Sequence, residues 1–113
     1  MTYSTNIVNL TPHSVTLLSW STNTPREVFP ASGVVARCVV ERHSVANAIG
    51  LPLFTASFGE VVGLPDHKEG NLYIVSAIVR NALPERRDLF SPADLERDEE
   101  GNITGCKSFD CNP

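Results

Sequence analysis

The sequence predicts a small α+β domain that is mostly β, composed of short antiparallel strands with one or two short helices. Short runs rich in β-branched and aromatic residues recur along the chain, and turns containing proline or glycine separate them. Clear helical spacing of apolar residues occurs in one short stretch, directly after the apolar run at residues 71–76. Many strands with few helices favour a mostly β fold.

Size and composition predict a single domain. The chain has 113 residues, enough for one core and too few for two. We therefore expect one compact domain over residues 1–113, with residues 110–113 as a frayed tail. The sequence contains neither an apolar run near the roughly 20 residues of a membrane span nor the features of a signal peptide. We expect a cytoplasmic protein.

The first half of the chain has the pattern of strands joined by turns. The predicted strands cover residues 5–10, 14–20 and 34–42, with a short edge segment at 26–33. One helical turn is then predicted, with Ser44 as its N-cap and Gly50 at its end. Residues 51–65 predict two extended pieces with a kink or bulge at Phe58 and Gly59.

The second half contains the strongest strand signal and the clearest helix. Ser76 is the candidate N-cap of that helix, and Pro84 ends it. In chain order we predict a strand at 71–76, a helix at 77–83, an irregular loop at 85–95 and a hairpin at 96–109 with "EEGN" at its tip. Strands of this number leave unpaired edges, and a homo-oligomer is one way to cover them.

The basic residues are mostly arginine. The net charge of −4 argues against bulk binding to nucleic acid, which needs a broad basic surface. Seven arginines stand against two lysines, and the planar guanidinium fork suits carboxylates, phosphates and base edges. Arg80, Arg86, Arg87 and Asp88 form a cluster beside the predicted helix. The alternative is that each arginine pairs with an acid at the surface.

The start of the predicted helix is a candidate anion site. A strand that leads into a helix through Ser76 directs the first helical N–H groups toward the end of the strand, where anions are attracted. The arginine cluster would then hold phosphates. The alternative is that Ser76 only caps the helix, Arg80 is solvated, and Asp88 pairs with Arg86 to brace the loop.

Two polar turns add further candidates. Thr11 and His13 lie around a proline turn with Asn9, where a corner bonded to its own backbone is the alternative to a ligand site. Ser32 and Gly33 form a second turn, whose backbone amides are candidates to face a ligand.

Three single residues complete the candidate ligand-binding set. Arg37 is an isolated charge inside an apolar strand, so it must point to solvent or be paired at an interface. Trp20 and Phe90 lie at element ends or in loops and are candidates to stack on a nucleobase, with core packing as the alternative. Most other aromatic residues are assigned to the core by their strand positions.

Motifs of established enzyme classes are missing from the sequence. It contains no P-loop, no G-x-G-x-x-G and no G-x-S-x-G. The three cysteines and three histidines lack the spacing of a metal site, and we interpret Cys38, Cys106 and Cys111 as reduced thiols, with a Cys106–Cys111 link left open. We expect no catalytic residues, no cofactor and no metal.

The motifs NLTPHSV, PASGVVAR, FGEVVGLP, YIVSAIV, PERRDLFSP and RDEEGNITGC occur in this order. In this the chain resembles a family of small tailed-phage and prophage proteins with no established activity, and the resemblance covers nearly its whole length. The recurring polar positions of that family correspond to Asn9, Thr11, His13, Ser32, Gly33, Arg37, Gly59, Ser76, Arg86, Asp88, Arg97 and Asp98.

The phage resemblance favours small binding proteins that counter host defence. The first hypothesis is a homo-oligomer that sequesters a small phosphorylated, nucleotide-like host signal without turning it over. The second is a protein–protein interaction module, either a phage accessory or a host inhibitor. The third is a small nucleotide hydrolase with His13 or Asp88 as the base.

Overall fold

The computed structural model describes residues 5–113, in which strands predominate and the single helix is short. The elements, in chain order, are β1 (Asn6–Asn9), β2 (Val15–Leu18), β3 (Pro25–Phe29), β4 (Arg37–Val45), β5 (Leu53–Val62), β6 (Asn71–Ile74), α1 (Ala77–Ala82), β7 (Leu89–Arg97) and β8 (Ile103–Cys111). This agrees with the predicted mostly β character. No helix in the described range has the length and apolarity of a membrane span.

Six strands form one sheet in the order β1-β6-β7-β8-β2-β3. The predicted antiparallel pairing holds for β2 with β3, β4 with β5 and β7 with β8, but β1 with β6, β6 with β7 and β2 with β8 are parallel pairs. A parallel pair requires a crossover connection, and α1 supplies one between β6 and β7. The apolar pattern of a strand does not depend on whether its neighbour runs parallel or antiparallel, so the sequence did not predict the parallel pairs.

The remaining strands, β4 and β5, form a separate antiparallel hairpin that we call the arm. Cys38 opposite Val61 lies near its base, and Val45 opposite Leu53 lies at its far end. Between Cys38 and Val40 the register shifts and leaves one extra residue on β5, beside Phe58. The predicted bulge at this place is therefore confirmed.

The helical turn predicted after Ser44 is wrong. Strand β4 continues to Val45, and the chain then turns around Asn47. The Asn47 side chain donates to the carbonyl oxygen of Leu51 at 2.8 Å and accepts from the backbone N–H of Ile49 at 3.1 Å. An asparagine that bonds its own loop in this way closes a hairpin turn without a helix.

The core lies where α1 and the base of the arm meet the sheet. Its buried cluster consists of Leu10, Ala36, Tyr73, Val75, Val79 and Leu89. Cys38 and Val61 from the arm pack against this cluster, together with Leu64 and Leu83. The arm is therefore attached to the body through the side chains at its base.

Helix α1 begins as the sequence predicts. The hydroxyl of Ser76 accepts a hydrogen bond from the backbone N–H of Val79 at 3.3 Å, which confirms Ser76 as the N-cap. The segment after the helix differs from the prediction, because β7 begins at Leu89 inside the expected irregular loop. Pairing with β8 across the sheet imposes this strand on a segment that contains Pro92.

The predicted frayed tail is also wrong. Strand β8 continues to Cys111, and Asn112 is buried. The Asn112 amide donates to the carbonyl oxygens of Leu83 at 2.9 Å and Arg86 at 2.8 Å, with Arg80 at 3.2 Å. The last carbonyl groups of a helix lack partners inside the helix, and the tail supplies one here.

Replacing Asn112 with alanine is expected to lower the free energy of unfolding by roughly 2 kcal/mol, because the carbonyl oxygens of partly buried Arg80, Leu83 and Arg86 then lose a buried donor. Urea unfolding followed by circular dichroism measures the change. Asn102→Ala is the matched control, since Asn102 is exposed at the tip of the β7–β8 turn. Equal midpoints for the two variants would show that the tail does not support the helix.

Candidate functional site

The corner at residues 9–13 is held by its own hydrogen bonds. Buried Asn9 accepts at its side-chain oxygen from the backbone N–H of Thr11 at 2.9 Å and from the Thr11 hydroxyl at 2.6 Å. Its amide donates to the carbonyl oxygens of His13 at 2.8 Å and Phe29 at 2.9 Å. Thr11 therefore braces this turn, while the His13 side chain is exposed.

The second polar turn lies against the first. The backbone N–H of Ser32 donates to the carbonyl oxygen of Asn9 at 3.1 Å. Gly33 has a φ of +94°, and an added Cβ there would meet nothing within 4 Å. The two turns that the sequence singled out thus meet at one corner of the sheet. Arg37 is exposed at the base of the arm.

Arg80 is held by neighbouring elements. Its Nε donates to the hydroxyl of Ser91 at 2.7 Å, and one terminal nitrogen donates to the side-chain oxygen of Asn112 at 3.3 Å. Ser91 and Asn112 are both buried, so this arginine links α1 to the last two strands. Arg80 is neither simply solvated nor directed at the start of the helix.

Arg86 and Asp88 form a two-pronged ion pair. Arg86 Nε and Nη2 each lie 2.8 Å from an oxygen of Asp88, whose carboxylate is almost fully buried. Arg86 Nη2 also donates to the carbonyl oxygen of Pro65 at 3.1 Å. The hydrogen bonds from Arg86 hold the pKa of Asp88 below its usual value, and the same bonds raise the pKa of Arg86. This is the loop brace that the sequence left open as an alternative.

Of the other candidates, Arg87 adjoins that pair, whereas Trp20 and Phe90 make their contacts elsewhere. Arg87 lines a cleft of about 320 Å³ together with Asp88, His67 and Asn71. Trp20 is exposed, with the ammonium group of Lys107 5.5 Å from its ring centre. Phe90 packs in a tilted arrangement against Phe109, with the ring centres 6.5 Å apart, so its ring belongs to the sheet surface. In residues 5–113, none of the principal clefts is lined by more than one of Arg37, Arg80, Arg86 and Arg87.

A groove runs instead between α1 and the base of β5, and we call it the α1 groove. One part, of about 240 Å³, is lined by Phe58, Ile78, Asn81 and Ala82. The adjoining part, of about 390 Å³, shares Ala82 and is lined in addition by Gly59, Glu60, Val61, Leu64, Leu83 and Arg86. Of the residues that the sequence proposed as ligand-binding, Arg86 reaches this groove.

The side chains of the α1 groove supply complementary chemistry. The Phe58 ring is 58% exposed and offers a flat apolar face. Asn81 is exposed, and its amide has no hydrogen-bond partner within residues 5–113, so donor and acceptor are both free for a base edge. Arg86 Nη1 makes no hydrogen bond to that same part of the chain and adds a positive donor at the far end. Glu60 provides an acceptor for hydroxyl groups.

Sequence reasoning missed Phe58 and Asn81. Phe58 was assigned to the core with the other strand aromatics, but it lies on the arm, where the strand has left the body. The signal was present, since Phe58 immediately precedes a glycine at the bulge. Asn81 had no local signal, because an exposed asparagine within a helix resembles any solvated residue.

None of the three cysteines lines the α1 groove. All three cysteines are free, and burial raises the pKa of the Cys106 thiol, which keeps it protonated. Across residues 5–113 there is no cluster of three or more His, Cys, Asp or Glu side chains that would hold a metal ion.

Comparison with known proteins adds no relative. No family model, no curated protein and no solved structure matches this chain.

Proposed function

We propose that this protein is a non-enzymatic binding protein that captures a small phosphorylated, nucleotide-like ligand in the α1 groove. The observation that carries the proposal is the exposed Phe58 ring opposite the free amide of Asn81, with Arg86 at the other end of the groove. A flat ring, an amide and a guanidinium suit a base, its polar edge and a phosphate, respectively.

The charges favour a ligand held by a few directed contacts. The protein is acidic overall, so it does not attract polyanions in bulk. Arg86 remains charged beside Asp88, and its Nη1 makes no hydrogen bond to residues 5–113, so this groove residue keeps a donor for an anion. The resemblance to phage proteins supports a role in the host cytoplasm, where a homo-oligomer would sequester a host immune signal and so counter host defence.

Isothermal titration calorimetry of the purified protein against cyclic nucleotides and ADP-ribose-derived nucleotides tests the proposal. We expect Phe58→Ala to weaken binding by about 5- to 150-fold, because loss of base stacking costs roughly 1–3 kcal/mol. Trp20→Ala is the matched control, since Trp20 is exposed but distant from the groove, and it should leave affinity unchanged. Weaker binding by Trp20→Ala, with no change for Phe58→Ala, would indicate that the base stacks on Trp20 instead.

Two further readouts separate the alternatives. Mass spectrometry of the recovered nucleotide should show it intact, whereas a hydrolysed product lost in His13→Ala would support a hydrolase instead. If no nucleotide in the panel binds or raises the melting temperature, the capture function is rejected.

A protein–protein interaction module is the second candidate, because within the described part of the chain neither strand of the arm pairs with a further strand. One stoichiometric host partner recovered from lysate, with no nucleotide binding, would favour it.

A further inference from the structure

The two faces of the arm differ in polarity. Residues paired across a hairpin lie on the same face, and the face alternates along each strand. One face carries Val40 opposite Phe58, then Arg42 opposite Ala56, then Ser44 opposite Phe54. The other face carries Glu41 opposite Ser57 and His43 opposite Thr55, with the His43 ring 3.4 Å from the Ser57 hydroxyl, and ends in the apolar pair Val45 and Leu53 at the far end of the arm. The arm is thus amphipathic from its bulge to Ser44 and Phe54, and only its far end is apolar on the second face.

The apolar face of the arm continues the core of the body. Cys38 packs against the core cluster, and Val40 follows two residues later on the same face. On α1, Ile78 lies beside Phe58 across the groove. We call Val40, Phe54, Phe58 and Ile78 the arm patch, and their exposed fractions are 51%, 49%, 58% and 49%. The apolar surface that begins in the core therefore extends along the arm, where it is exposed to solvent.

The chain exposes more surface than a compact monomer of its size. Its accessible area is 7952 Å², roughly 1,800 Å² more than the area expected for a compact protein of 12.3 kDa. The radius of gyration is 17.4 Å, against roughly 13 Å for a compact chain of this length. A standard protein interface removes about 800 Å² from each partner, so the surplus is large enough for a stable dimer.

An isolated two-stranded hairpin is at best marginally stable in water and needs a further surface to pack on. The outer part of the arm has no such surface within the described chain, since its residues from Val39 to Phe58 are all exposed. A second copy of the same chain is present wherever this protein is present, whereas a foreign partner is available only in some settings.

We propose that the arm patch is buried against the arm patch of a second copy of this chain in a two-fold interface. A self-complementary apolar patch is what such an interface requires. Arg42, whose guanidinium carbon lies 4.3 Å from the ring centre of Phe54, is already stacked in the manner common at interface centres.

This interface also shapes the α1 groove, a consequence that rests on the proposed function. Phe58 and Ile78 belong both to the arm patch and to the groove lining. A second copy on the patch therefore forms an additional wall of the groove, so the ligand pocket is complete only in the dimer. A closed pocket strengthens polar contacts to a phosphate by excluding water.

The test is sedimentation velocity on the full chain without nucleotide, over a range of concentrations. The wild-type mass should be about twice 12.3 kDa or a higher even multiple. Val40→Glu should weaken self-association by at least about 100-fold, because both copies then bury a charge. Val28→Glu is the matched control: Val28 is 52% exposed on edge strand β3, and its variant should associate as the wild type does.

The outcomes separate the interface from the ligand site. Circular dichroism verifies the folding of each variant, and Phe54→Lys, farther along the arm, provides a second disruption that leaves the core untouched. A wild-type monomer at tens of micromolar, or dissociation by Val28→Glu with no effect of Val40→Glu, overturns the interface. A monomer that binds nucleotide rejects the interface alone, and a dimer that binds none rejects the ligand proposal alone.

Discussion

Replacing Gly63 with alanine is expected to destabilise the protein by about 3 kcal/mol, the larger part of which comes from a steric collision. Gly63 follows β5 at the base of the arm with a φ of +81°, a conformation that L side chains rarely adopt. An added Cβ would also collide with the carbonyl oxygen of Val35, beside buried Ala36. The backbone of one segment must move before the methyl group fits.

Gly33→Ala separates these two costs. Gly33 has a φ of +94°, but its added Cβ would meet nothing within 4 Å. Its substitution should therefore cost only the backbone preference, about 1 kcal/mol. Chemical denaturation of both variants and the wild type measures the difference. Similar losses for the two variants would mean that the close approach at Gly63 relaxes freely and does not fix the base of the arm.

Replacing Asp88 with asparagine is expected to cost about 3 kcal/mol at neutral pH, because the charge of Arg86 then remains partly buried beside a neutral amide. Asparagine keeps the shape of the side chain, so the loss reports charge and hydrogen bonding. Asp110→Asn is the matched control, since Asp110 is exposed on β8, and it should leave the free energy of unfolding unchanged.

The stability that Asp88→Asn removes should become smaller as the pH falls into the acid range. Folding lowers the pKa of Asp88, chiefly through its hydrogen bonds with Arg86, so its contribution is complete above the ordinary aspartate pKa of about 3.9. That contribution disappears as the pH falls through the lowered value of the folded state. The stability gap between wild type and variant should therefore stay constant from neutral pH to about pH 5 and shrink below about pH 4. A gap that widens in acid would contradict this assignment.

Local signals in the sequence were reliable where the structure depends on neighbouring residues. Ser76 caps α1 because its hydroxyl reaches an N–H group three residues away. The β7–β8 hairpin turns where predicted because Asp98 accepts from the backbone N–H groups of Glu100 and Asn102, each at 2.9 Å. The bulge beside Phe58 was likewise visible from its glycine.

Predictions failed where a distant segment supplied the decisive contact. The tail is ordered because Asn112 reaches carbonyl groups that lie 26 to 32 residues earlier in the chain. Strand β7 starts at Leu89 because β6 and β8 pair with it on either side. The local composition of these segments predicts irregular structure, because it contains no information about a partner that is distant in the sequence.

The candidate site likewise combines features that the sequence predicts with features that depend on distant segments. The cluster of arginines was visible in the sequence, but the roles of Arg80 and Arg86 depend on Ser91, Asp88 and the chain end. The exposed Phe58 became a candidate only after the arm was seen to leave the body.

The sequence by itself therefore determined a mostly β chain with one capped helix, its hairpin turn and its bulge, because hydrogen bonds between near neighbours and alternating apolar residues specify them. The tertiary structure alone decided the parallel pairs, the partners of Arg80, and the projection of the arm with its apolar face uncovered. Those features depend on which distant surfaces meet, and the physical reason is that burial and pairing are properties of two segments together, whereas a sequence pattern describes one segment at a time.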